Sequence, residues 1–205
     1  MNSRVIGVML IIGPILTMGT WLFYNVETSE MNVSETLNAL LAEENKAQMG
    51  AMIRMFGLTS MFMGLYFLAR SLKSDNSISN VCSEIGGLLL LLAVPIWVIL
   101  QGSDIGAISS AKEFGNNEGE AILAAGKMTR MVFFLFTTGI FILGIALSVV
   151  KRYEGIVGLL FRIVGVLFVI TSLIGILQIN DGIAWLGMFA LTLVSGILTL
   201  LKKDS

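Results

Sequence analysis

The sequence predicts an all-α fold: a polytopic transmembrane bundle of six helices, with N- and C-termini cytoplasmic and two amphipathic helical outer loops. Three observations predict it. The 205 residues are 56% hydrophobic, with a mean hydropathy of +0.88. Only 13% are charged, about half the roughly 25% of an average soluble domain and too few to cover a water-exposed surface. The apolar residues also gather into six runs of about 20, the number that crosses roughly 30 Å of hydrocarbon at about 1.5 Å per residue. The near balance of 13 Lys+Arg and 14 Asp+Glu excludes a basic nucleic-acid-binding domain and leaves membrane lipids as the expected surroundings.

The runs are 5–24, 50–70, 82–101, 128–150, 156–178 and 182–201, within a single transmembrane domain over 1–205. Helices are required, because backbone in lipid must satisfy its own hydrogen bonds and these runs lack the alternation of a membrane barrel. The first is read as a retained helix: it is longer than the roughly 7–15 residues of a signal-peptide core, and no A-x-A cleavage pattern follows. Pro14 and Pro95 fall inside the first and third spans and are expected to kink those helices.

Charge sorting sets the expected orientation. The odd-to-even connections and the helix ends beside them hold ten acids against five bases, Lys46, Arg54, Lys112, Lys127 and Arg130. The other side holds eight bases (Arg4, Arg70, Lys73, Lys151, Arg152, Arg162, Lys202, Lys203) against Asp75, Glu84, Glu154 and Asp204. Bases next to short connections mark the cytoplasmic side, which places a multi-pass protein in the plasma membrane with both ends inside.

The outer loops, 25–49 and 102–127, are too long to be plain connectors. In the first, Ser34 or Thr36 offers a helix start, followed by Leu37, Leu40 and Leu41 at helical spacing. In the second, Ser110-x-x-Glu113 has the pattern of a capping box, with Ile122 and Leu123 beyond it. Each is expected to lie on the outer surface, either as a lid on the bundle or as a docking surface for other membrane subunits. Asn32-Val33-Ser34 is an acceptor sequon on that face, which makes Asn32 a possible glycosylation site.

Two stretches echo each other. Glu44-x5-Gly50-x-Met52-x-Arg54-Met55 recurs as Glu120-x5-Gly126-x-Met128-x-Arg130-Met131, each copy closing an outer loop and opening an inward helix. A weaker echo joins 4–12 to 162–170. The stretches 4–14 and 40–70, the latter running from Leu-Leu-Ala-Glu through Met-Gly to Tyr66-x-Leu68-x-Arg70, and Gly155-Ile-Val-Gly158 through Gly165, resemble an uncharacterised family of prokaryotic six-helix integral membrane proteins. The resemblance implies the six-helix arrangement and carries over no activity or site residue.

Chemistry is read mainly by exclusion. There is no histidine and a single cysteine, Cys82, which removes histidine-based catalysis and the usual zinc and haem ligand sets. No catalytic, cofactor-binding or metal-binding constellation stands out, so no cofactor is expected and the protein is read as non-enzymatic. Met52, Met55 and Met63 share a helical face, and thioethers suit Cu(I), but Met is also an ordinary space-filler. Charges near the membrane are the remaining candidates. Glu84 and Arg162 form a candidate cytoplasmic-side pair. Arg54 and Arg130 run against the outer charge bias; they either anchor the loops through Glu44 and Glu120 or line the mouth of an outer vestibule. Pairing with the loop acids requires a bend near Gly50 or Gly126.

Two functions fit: an accessory or scaffold subunit of a membrane protein assembly, or a small permease or channel for a neutral or weakly anionic solute.

Overall fold

The computed structural model describes residues 2–28, 31–72, 77–128, 132–150 and 155–201. They form α1 (Ser3–Phe23), α2 (Val33–Ala42), α3 (Glu44–Ser71), α4 (Ser77–Phe114), α5 (Asn116–Met128), α6 (Val132–Val149), α7 (Gly155–Ile176) and α8 (Asp181–Leu201). Among the described residues there is no strand. Six of these helices, all but α2 and α5, are long and apolar enough to cross a membrane.

Those six close into a ring in chain order. α1 packs on α3, α3 on α4, α4 on α6, α6 on α7, α7 on α8, and α8 returns to α1. Small residues set the crossings, as expected where close packing rather than water exclusion drives association. A Cβ on Gly57 would lie 2.5 Å from Thr17 Oγ1, and one on Gly13 would lie 2.6 Å from the Met61 backbone nitrogen. Gly7 and Gly196 meet between α1 and α8, and Gly144 and Gly165 between α6 and α7, each close to the other's carbonyl. Both sequence echoes therefore mark crossings: Gly7 corresponds to Gly165, and Gly50 and Gly126 abut the Tyr24 carbonyl and the Ser103 side chain.

The ring is filled. Leu10, Met61, Leu65, Leu90, Leu143, Phe161 and Phe168 are among the buried residues of one continuous core. Hydroxyls inside it largely turn back on their own helices: Thr17 donates to the Gly13 carbonyl at 2.9 Å and Thr192 to that of Met188 at 2.7 Å. Others cross between helices, as Ser60 does to Met9 O and Ser79 to Ala146 O, both at 3.2 Å.

The helices differ from the sequence expectation mostly at one end of the bundle; at the other, α4 begins at Ser77 rather than at residue 82. α4 does not stop at Gln101 but runs on to Phe114. Ala107, Ile108 and Ala111 on this extension are buried in a second cluster with Leu37, Leu40 and Leu123, so packing of α2 and α5 stabilises the added turns. Ser110-x-x-Glu113 thus lies in the last turns of α4 rather than starting a helix. The break comes at Gly115, whose φ of +113° favours glycine. α3 likewise starts at Glu44, not at 50, and continues through Gly50 as one helix. α2 starts neither from Ser34 nor from Thr36: Asn32 is its N-cap, accepting from Glu35 N at 2.9 Å while the Glu35 carboxylate accepts from Asn32 N at 3.0 Å. At the α7–α8 turn, Gln178 takes φ 54° and the Asn180 side chain accepts from Ile183 N.

Of the charges that set the expected orientation, Glu30, Lys73, Asp75, Arg130, Lys151, Arg152, Glu154, Lys202, Lys203 and Asp204 lie outside the described residues, as does the side chain of Lys127.

Candidate functional site

At the end of the ring where α2 and α5 sit, the α1 terminus, α2, α3 and α4 enclose a polar cup of about 370 Å³. Its walls carry Trp21, Tyr24, Asn25, Thr28, Thr36, Arg54, Gln101 and Asp104. Each wall has a local origin. Tyr24 ends α1, where its backbone N–H caps back to Thr20 O at 2.9 Å. Thr36 is held to the first turn of α2 by its hydroxyl bond to Asn32 O at 2.7 Å. Gln101 and Asp104 are three residues apart on α4, and therefore neighbours on one face.

Arg54 reaches across from α3 to that face. Its Nε donates to Gln101 Oε1 at 2.7 Å, and one terminal nitrogen lies 3.7 Å from Asp104 Oδ2. The side chains of Arg54 and Asp104 are 15% and 29% exposed, so the pair is sheltered but open to the cup. The neutral amide takes the short bond and the carboxylate the long one. The guanidinium is therefore oriented without being closed off by a two-point carboxylate clamp.

Above the cup, Lys112 near the end of α4 donates to both carboxylate oxygens of Glu44 on α3, each at 3.0 Å, and Gln48 donates to the same carboxylate at 3.2 Å. Glu43 pairs with Lys46 at 2.7 Å. The expected pairing of Arg54 with Glu44 is thus replaced: α3 runs unbroken through Gly50, Glu44 goes to Lys112, and Arg54 turns to Gln101 and Asp104 on α4.

Beneath the cup lies a layer of rings. Trp185 of α8 lies 5.6 Å from Trp97 of α4, 6.3 Å from Trp21 of α1, and 5.0 and 5.4 Å from Phe133 and Phe136 of α6. Phe62 of α3 joins at 4.7 Å from Phe136 and 6.2 Å from Trp97. Five of the six ring helices contribute, and edge-on and stacked contacts of this kind add to their area burial. Trp97 is one turn below Gln101, buried, with an indole N–H that has no partner among the described residues.

A second groove, of about 500 Å³, opens between the opposite ends of α3 and α4 and contains Tyr66, Arg70, Asn80, Ser83 and Glu84. Arg70 lies over the Tyr66 ring at 5.9 Å. Glu84 faces this groove and is separated from Arg162, which is exposed on α7 and donates through Nε to Val150 O at 3.2 Å. α6 stands between α4 and α7 in the ring, so these two charges are not brought together. Glu120 is half-buried on α5 and Asn32 is exposed at the start of α2. Arg130 falls outside the described residues. Among the described residues, no group of His, Cys, Asp and Glu is placed to hold a metal ion.

Gln101, Asp104, Trp21 and Tyr24 are the site residues that sequence reasoning passed over. The signal was present: Gln101-x-x-Asp104 puts an amide and a carboxylate on one helical face just past an apolar run, opposite the arginine that broke the charge bias.

Comparison of the chain with protein-family models, curated proteins and solved structures finds no match.

Proposed function

We propose that the protein is a non-enzymatic, multi-pass plasma-membrane protein serving as an accessory or scaffold subunit of a membrane assembly. In this reading both termini are cytoplasmic and the cup faces outward. The charge sorting supports the orientation, since Arg4 and Arg70 lie at the end of the ring away from α2 and α5. The observation that carries the reading is the aromatic layer: rings from five helices pack against one another next to the cup, which suits a rigid packed body better than a conduit. The α2 and α5 surface is the expected contact for other subunits, and lipids surround the rest. Purification of the tagged chain from native membranes in mild detergent tests this. Co-migration with defined membrane partners on a native gel is the expected result, and a monomer alone contradicts it.

One observation favours a second reading, a small permease for a neutral or weakly anionic solute: a cationic side chain lines a polar cup at one end of the ring. That reading requires the ring layer to part, and predicts solute flux in proteoliposomes that Arg54→Gln reduces.

A further inference from the structure

From the cup's electrostatics we infer a ligand class that neither reading specifies: a small zwitterion, with an ammonium and an anionic group separated by two or three bonds. Binding of this kind goes beyond the subunit reading and is tested on the isolated protein, so each can fail without the other.

Among the described residues the walls carry a cation and an anion side by side, Arg54 and Asp104, 3.7 Å apart on adjacent helices. A simple anion drawn to Arg54 would meet Asp104, and a simple cation drawn to Asp104 would meet Arg54. A zwitterion laid antiparallel to the pair satisfies both walls, and in a sheltered site such contacts are stronger than in water. Gln101 holds Nε at 2.7 Å, which fixes the guanidinium plane; one terminal nitrogen faces Asp104, and terminal N–H groups of this kind suit carboxylate or phosphate oxygens. Trp21 and Tyr24 line the same cup, and aromatic rings are favourable neighbours for an ammonium. The volume of about 370 Å³ falls within the roughly 300–1,000 Å³ typical of small-molecule sites.

This chemistry has two sources. A free amino acid carries it, and so does the head group of an ethanolamine phospholipid, which lies at the depth where Trp and Tyr collect at a membrane surface.

The test uses the full chain in nanodiscs of phosphatidylglycerol alone, read by tryptophan emission and melting midpoint. The soluble probes are β-alanine, glycerophosphoethanolamine, propionate and n-propylamine. A parallel arm adds phosphatidylethanolamine to the nanodiscs and reads retained lipid by native mass spectrometry. Saturable binding of either soluble zwitterion, or selective retention of phosphatidylethanolamine, supports the inference and identifies the source. Propionate and n-propylamine should bind about tenfold more weakly or worse, the loss of one charge-assisted contact. Arg54→Gln and Asp104→Asn should each weaken zwitterion binding by a similar factor, whereas Arg70→Gln should not. The inference is overturned if propionate binds as well as β-alanine, if Arg54→Gln binds like the wild type, or if no zwitterion binds in either arm. The wild-type probe series decides the matter even where a variant does not fold.

Discussion

The two ends of the α3–α4 pair hold nearly the same side chains and use them differently. Each end has an arginine, an acid, an amide and an aromatic: Arg54, Asp104, Gln101 and Tyr24 at one, Arg70, Glu84, Asn80 and Tyr66 at the other. At the first end Arg54 is sheltered, with a short bond to Gln101 and a longer approach to Asp104. At the second, Arg70 is exposed, 3.4 Å from the Tyr66 hydroxyl and over its ring. Residue type does not make the difference. The placement of the arginine does: Arg54 is walled by the end of α1, α2 and α4, which runs on to Phe114, whereas Arg70 is exposed near the end of α3. Shelter of a side chain raises the strength of each polar contact and fixes its geometry, so the sheltered Arg54 can discriminate a ligand better than the exposed Arg70.

The largest expected effect comes from displacing α1. Gly57→Leu places a side chain against Thr17 and the α1 backbone and should cost about 3 kcal/mol or more, read as a fall in melting midpoint. Gly19→Ala, where nothing lies within 4 Å, should be neutral or stabilising by up to about 1 kcal/mol. Next, Arg54→Met removes the bond to Gln101 and the approach to Asp104 and should destabilise by about 1–2 kcal/mol. Arg70→Met at the open end should stay within about 0.5 kcal/mol. A reversal of that order would erase the distinction between the two ends. Asn32→Ala removes the N-cap that holds α2 and should cost about 1 kcal/mol, seen as faster hydrogen exchange confined to 33–42. Smallest is Lys112→Gln. Its side chain is 59% exposed, so the loss of the Glu44 bridge should be under about 1 kcal/mol and vanish in high salt.

Six spanning helices were legible because length and hydropathy alone demand them, and the tight α7–α8 turn followed from the few residues between two apolar runs. The helix ends were less legible. Nothing local says that α4 continues past Gln101; the reason is burial of Ala107, Ile108 and Ala111 by α2 and α5, a contact between distant segments. Asn32 was read only as a sequon, although the signal was local: its spacing to Glu35 is that of a capping box. Arg54 was singled out because its charge ran against the sorting, but its partners lie about fifty residues away on another helix. The aromatic layer could not be read at all, since Trp21, Phe62, Trp97, Phe136 and Trp185 share a level only once the ring closes.

The central claim is that the cup is open to solvent and ends at the ring layer. Single cysteines at Thr28, which lines the cup, and at Ala93, fully buried one turn below Trp97 on α4, test it directly in a Cys82→Ser background. The membrane-impermeant thiol reagent MTSET is applied to the intact chain in nanodiscs, and labelling rates are compared. Fast modification of Thr28→Cys with no detectable modification of Ala93→Cys is the result expected; comparable labelling at both positions would contradict a bundle closed beneath its cup.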